Sequence, residues 1–191
     1  MTDQSETIST PAYGFEIPST WQLFHAQRKD VFDQLLAELE DDIRPSVEEN
    51  LTRLQDGLRE IGVDRFHTRV IESDGKFLIM TLSSVLFATR DLRGDHDEVR
   101  KAMINMSAEQ SLEASPMLSI INGPHVELLR SEAVIEESSE WLWSQTRDIR
   151  YAILHPDGQV GVVIVGTSPN VNIHEVGQIF DSIAQTFRWL S

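Results

Sequence analysis

Three consecutive segments decide how this chain folds: the run Ile149-Arg150-Tyr151-Ala152-Ile153-Leu154, the turn His155-Pro156-Asp157-Gly158-Gln159 and the return Val160-Gly161-Val162-Val163-Ile164-Val165. Pro156 presets φ, Asp157 closes the turn on its own backbone, and Gly158 tolerates positive φ, so the two runs form a hairpin. The return run is apolar at successive positions and rich in β-branched residues, which predicts a central strand covered on both faces. Beyond Thr167-Ser168-Pro169-Asn170 the period changes. Val176, Ile179, Phe180, Ile183, Phe187 and Leu190 step by three and four, which predicts a closing helix docked on the sheet. Each such side chain stabilises the fold by about 1.5–3 kcal/mol when fully buried.

Working backwards, Val126–Ile135 and Trp141–Leu154 read as strands joined by the polar connection Glu136-Glu137-Ser138-Ser139-Glu140. With the hairpin they form a meander. Residues 107–124 are weakly patterned, and Leu118-Ser119-Ile120-Ile121 reads as a short strand or a packed loop. A short helix is expected from Glu98 to Met106, preceded by a solvated loop over residues 90–98. Phe66–Ile71 and Phe77–Leu82 flank Ser73-Asp74-Gly75, a strong hairpin signal. Two helices are expected before it. Val31, Leu35, Leu39 and Ile43 mark the first, with Asp30 as N-cap; Val47, Leu51, Leu54, Leu58 and Ile61 mark the second, with Pro45 in its first turn and Gly62 ending it. Tyr13–Pro18 and Trp21–Phe24 are short strands, and residues 1–11 are a flexible polar tail. The expected order is β-β-α-α-β-β-α-β-β-β-α. It describes an α+β fold: residues 12–191 form a single domain whose central sheet is mostly antiparallel and flanked by helices.

Composition narrows function by exclusion. A chain of 191 residues buries roughly 70% of its unfolded surface, enough for a core without staples. Cysteine is absent, which removes disulfides, thiolate nucleophiles and cysteine-ligated metal centres together. No apolar run approaches the ~20 residues of a membrane span, and the opening Met1–Glu6 is polar and acidic, so a cytoplasmic protein is expected. The net charge of −15, from 31 acidic and 16 basic side chains, repels phosphate backbones and anionic lipid. Neither a nucleic-acid nor a membrane partner is expected.

The element order and two local motifs resemble the PsbP-like fold, in particular an uncharacterised actinobacterial branch of it. The motifs are Tyr13-Gly14-Phe15-Glu16-Ile17-Pro18 with Trp21, similar to the family's opening GF-x-φ-P-x-x-W (φ apolar), and a closing helix ending Phe187-Arg188-Trp189. The resemblance implies a noncatalytic adaptor, since members of the fold assist photosystem assembly or bind a small GTPase. No binding residue carries over. Some members of the branch are lipoproteins, and the lipobox cysteine is missing here.

Candidate chemistry is sparse. Asp95-His96-Asp97-Glu98 offers oxygen and imidazole ligands, but adjacent ligands on one loop rarely converge on a metal alone, and a solvated acidic loop is the better reading. The motifs H-E-x-x-H, G-x-S-x-G and G-x-x-x-x-G-K-[ST] are all absent. The chain is therefore read as no enzyme, with no catalytic, cofactor-binding or metal residue assigned and no cofactor expected. Trp141 and Trp143 share one strand face, and with Gln145, Arg147 and Tyr151 they make a candidate partner surface on an edge strand; the competing reading packs both tryptophans under a helix. The first function expected is thus a noncatalytic interaction domain that binds a protein partner, or a second copy as a homodimer, through a sheet face or edge. The alternative is a small-molecule binder or minor hydrolase with a pocket between helices and sheet.

Overall fold

The computed structural model describes residues 12–25, 36–37, 44–45, 48, 52, 56, 63, 65–73, 76–107, 116–139, 142–169 and 173–190. Nine strands appear among them: β1 (Ala12–Gly14), β2 (Gln22–His25), β3 (Arg65–Ser73), β4 (Lys76–Ala88), β5 (Met117–Asn122), β6 (Glu127–Ser139), β7 (Leu142–Leu154), β8 (Val160–Pro169) and β9 (Arg188–Leu190). Two complete helices are described, α1 (His96–Met106) and α2 (Ile173–Gln185). Seven strands make one sheet in the order β2-β3-β4-β8-β7-β6-β5, and β1 pairs with β9 in a separate ribbon. Every pairing is antiparallel. The chain is thus α+β with a mostly antiparallel sheet. Most residues of the two helices expected between β2 and β3 lie outside the described set; those described there (36–37, 44–45, 48, 52 and 56) have helical backbone.

The topology follows from the hairpins. β3 and β4 pair antiparallel along their length, with Ser73 opposite Lys76. From β4 the chain passes through α1 to the far edge, then returns inward as the meander β5-β6-β7-β8, which ends alongside β4. β8 is the central strand that its composition predicts: Val160, Val162, Val163 and Ile164 are all buried, on both faces. One face carries Met80, Leu82, Leu128, Ile149, Tyr151, Ile153, Val162 and Ile164, packed with Val176, Phe180, Ile183 and Ala184 of α2. The other carries Leu129, Ala152 and Val163, packed with Val99, Met103 and Ile104 of α1. Since side chains alternate along a strand, the two helices sit on opposite sides. Gly166 in β8 lets α2 approach closely: a Cβ there would lie 2.7 Å from the Phe180 ring.

Four local expectations change. The closing helix stops at Gln185, not Leu190. Thr186 and Phe187 donate their amides to Ile183 and Ala184, three residues back, and the Thr186 hydroxyl donates to the Ile183 carbonyl. This tightened last turn frees residues 188–190 to pair with β1. Apolar spacing alone continued through Phe187 and Leu190; a strand partner at the other end of the fold, Ala12–Gly14, outcompeted it. The first short strand ends at Gly14 rather than Pro18, because Pro18 has no amide to donate and residues 15–18 form no ladder. Glu136–Ser139 belong to β6 rather than to a connection, and Ser139 faces Leu142 of β7. Backbone pairing overrode their polarity. Finally, α1 begins at His96, inside the stretch expected to be loop.

Candidate functional site

The acidic stretch expected as a solvated loop is the N-terminus of α1. The Asp95 Oδ1 accepts from the Asp97 and Glu98 amides at 3.0 and 2.9 Å, while the Glu98 Oε2 accepts from the Asp95 amide at 3.0 Å. This reciprocal box satisfies otherwise orphaned donors, and the carboxylates complement the positive end of the helix. The D-x-x-E spacing was the signal for it. Among the described residues, no group of three or more His, Asp or Glu is placed to hold a metal ion.

Two ion networks lie against the sheet. Beneath α2, the Arg130 Nε donates to Asp181 Oδ1 at 2.9 Å and its terminal nitrogen lies 2.6 Å from Glu132 Oε2. Arg147 reaches the other Glu132 oxygen at 3.1 Å, and the Tyr151 hydroxyl donates to Asp181 Oδ1 at 2.5 Å. Gly177 of α2 gives the two guanidiniums room; a Cβ there would stand 3.4 Å from Arg130. Burial of Arg130 opposes its charge, but the hydrogen bonds it donates to Asp181 and Glu132 outweigh this, so its pKa is raised. Burial first, and then the bond to Asp181, push the Tyr151 hydroxyl up as well. Neither group exchanges a proton near neutral pH. The cluster clamps α2 to β6 and β7.

On the opposite face, Arg150 and Asp148 form a bidentate pair at 2.6 and 2.9 Å, with side chains only 6% and 7% exposed. Arg150 also donates to the Ile104 carbonyl at 3.3 Å and the Ser107 hydroxyl at 3.1 Å. It thereby satisfies the carbonyl end of α1, where a cation is favourable.

Two residues of the expected partner surface have described side chains. Tyr151 is fully buried and Arg147 is 5% exposed, both beneath α2. Trp141 lies outside the described residues, as does the side chain of Trp143, whose backbone faces Ser138 of β6. β7 is an interior strand, flanked by β6 and β8. The motif aromatics, by contrast, converge. Tyr13 stacks on Phe187 at 5.6 Å, meets Trp189 edge-on at 6.0 Å, and hydrogen-bonds Ser84 at 3.0 Å. Trp21 packs on Phe180 at 5.9 Å. The opening and closing motifs thus hold each other on the face covered by α2, and their role is structural.

Two open features remain. A groove of about 640 Å³ runs between Glu16–Pro18 and the outer side of α2, with Arg69, Glu175 and Gln178 among its walls. The other is β5, the terminal strand of the seven. Met117 is 74% exposed and Leu118 and Ile120 are each 45% exposed. The strand Met-Leu-Ser-Ile-Ile-Asn carries no charge, and among the described residues its outer edge pairs with no strand. Natural edges are ordinarily blunted by lysine, proline, a bulge or extreme shortness. Here the prolines stand outside the strand, at Pro116 and Pro124, and leave six residues open. Sequence reading left residues 118–121 as a short strand or a packed loop and gave them no strand in the expected order; the pairing with β6 makes them one.

No family model matches this chain, and no curated protein matches it. Among solved structures, LpqN, described as "involved in cell envelope biogenesis of Mycobacterium tuberculosis", is a distant structural neighbour: TM-score 0.49 and 8% identity, over 98% of this chain and 88% of that one.

Proposed function

We propose that this chain is a noncatalytic protein-interaction domain that docks an extended partner segment along β5. The observation that carries the proposal is the six-residue uncharged edge with Met117, Leu118 and Ile120 exposed. Such an edge offers a row of backbone donors and acceptors for affinity and alternating side chains for specificity. The opposite edge, β2, is four residues long and offers less. The reading agrees with the adaptor role implied by the PsbP-like resemblance, and with residues 12–191 acting as one domain in the cytoplasm. It also accounts for the ion networks, which here hold helices rather than perform chemistry.

The test compares the wild-type chain with Leu118→Lys/Ile120→Lys, whose fold is checked by circular dichroism. The immobilised wild type should capture a stoichiometric protein from its own lysate, and the variant should lose it. Equal capture by both refutes docking along β5.

A further inference from the structure

We infer that the occupant of β5 is a second copy of this chain, joined antiparallel about a twofold axis through Ser119, so that two seven-stranded sheets become one. This rests on the reading of β5 as a docking edge and names its partner.

The argument begins with symmetry. In an antiparallel pair of identical strands, facing residues share a side of the sheet, so the axis must pass through a residue rather than between two. With Ser119 on the axis, Leu118 faces Ile120 of the other copy and Met117 faces Ile121. The segment Met117-Leu118-Ser119-Ile120-Ile121 is palindromic in polarity about that serine, so every apolar side chain meets an apolar one. Moving the axis to Ile120 sets Leu118 against Asn122 and Ser119 against Ile121. Moving it to Leu118 sets Met117 against Ser119 and Ile120 against Pro116, which has no amide. One register alone pairs both faces well.

Placement agrees with this. Leu118 and Ile120 lie opposite Ser131 and Leu129 of β6, on the face that carries α1. Met106, 58% exposed in the last turn of α1, stands on the same side. Charge agrees as well. The chain carries a net charge of −15, so most mutual approaches of two copies oppose acid to acid. Along residues 117–122 no charged side chain faces another, and the like-charge penalty of a cross-strand pair is avoided. The five paired residues, 117–121, span about 17 Å, a seam below the standard interface size of about 800 Å² per partner. A weak, reversible dimer follows, with a dissociation constant on the order of 10 μM. Added salt should tighten it by screening the repulsion between the two acidic bodies.

The test is light scattering and sedimentation equilibrium on the full chain. The wild type should be mostly dimer at roughly 100 μM and mostly monomer at roughly 1 μM, with the dimer fraction rising from low to moderate NaCl. Leu118→Lys/Ile120→Lys and Leu118→Glu/Ile120→Glu should each be monomeric, because each sets like charges across the axis. Mixed one to one, they should form a heterodimer, since lysine at 118 then faces glutamate at 120; a merely unfolded variant cannot do this. A wild type that is monomeric at the higher concentration overturns the inference, as does a dimer that survives both charged variants. A monomer whose capture of another protein is lost on β5 substitution removes only the second copy. If that capture is unchanged, docking along β5 fails too.

Discussion

The buried pair Asp148–Arg150 sets up the sharpest stability experiment. Asp148→Ala leaves a guanidinium, 6% exposed, with only the Ser107 hydroxyl and the Ile104 carbonyl for partners. Breaking a buried pair from one side costs about 3–5 kcal/mol, because the remaining charge is uncompensated. That is a large part of the 5–15 kcal/mol that holds a typical domain together. Arg150→Met strands the carboxylate instead and should cost a similar amount. The double variant removes both charges, and Ser107 still donates to the Ile104 carbonyl at 2.8 Å, so that carbonyl keeps a partner. Its loss should fall to about 1–3 kcal/mol, from the cavity and the lost bonds. The cycle therefore predicts a coupling energy of at least about 2 kcal/mol. Urea unfolding followed by circular dichroism measures all four proteins, with an unchanged m-value as the check on two-state behaviour. Single variants within about 1 kcal/mol of wild type, together with an additive double, would falsify the claim that this pair is buried and coupled.

Two further outcomes are expected. Gly166→Ala should cost about 1–3 kcal/mol by overpacking, because its Cβ would lie 2.7 Å from the rigid Phe180 ring; Gly161→Ala, which presses on the flexible end of Met103 and stands 3.0 Å from the Ile153 carbonyl oxygen, should cost less, and equal urea midpoints would contradict this. Burial lowers the pKa of His67 below its ordinary 6.5, so the unfolded chain takes up that proton first. The stability it contributes is present above pH 6.5 and is lost as pH falls below that value. His67→Gln should remove this part of the slope between pH 7.5 and 5.5, and an unchanged slope would count against it.

Much of the fold was legible where local pattern and global fold agree. The run Val160–Val165 announced a central strand because an apolar residue at every position needs cover on both faces. The turn His155–Gln159 has Gly158 at φ 70°, with Asp157 Oδ1 accepting from the Gln159 amide at 2.9 Å. Less legible were the places where two local signals compete. Phe187 and Leu190 continue the helical spacing, yet Arg188–Leu190 became a strand because β1 was there to meet it, with Tyr13 stacked on Phe187. Asp95–Glu98 offered both a metal-like cluster and a capping box, and the backbone donors of α1 took the carboxylates. Arg147 and Tyr151 looked like surface groups on a tryptophan strand. Asp181 on α2, thirty residues after Tyr151, and Glu132 on β6, beside Arg147, supply the partners that let both be buried.

The amino-acid order by itself determined which segments are strands and helices, where the hairpins turn, and that the sheet runs back and forth. These properties depend on side-chain periodicity and turn chemistry within a few residues. The tertiary structure decided which strand ends the sheet, which acids neutralise which arginines, and how the chain's two ends are joined. Each of those depends on which distant backbone supplies the missing hydrogen-bond partner. Alternation along a strand specifies the face a side chain takes but leaves open the strand that lies beside it, or whether any does.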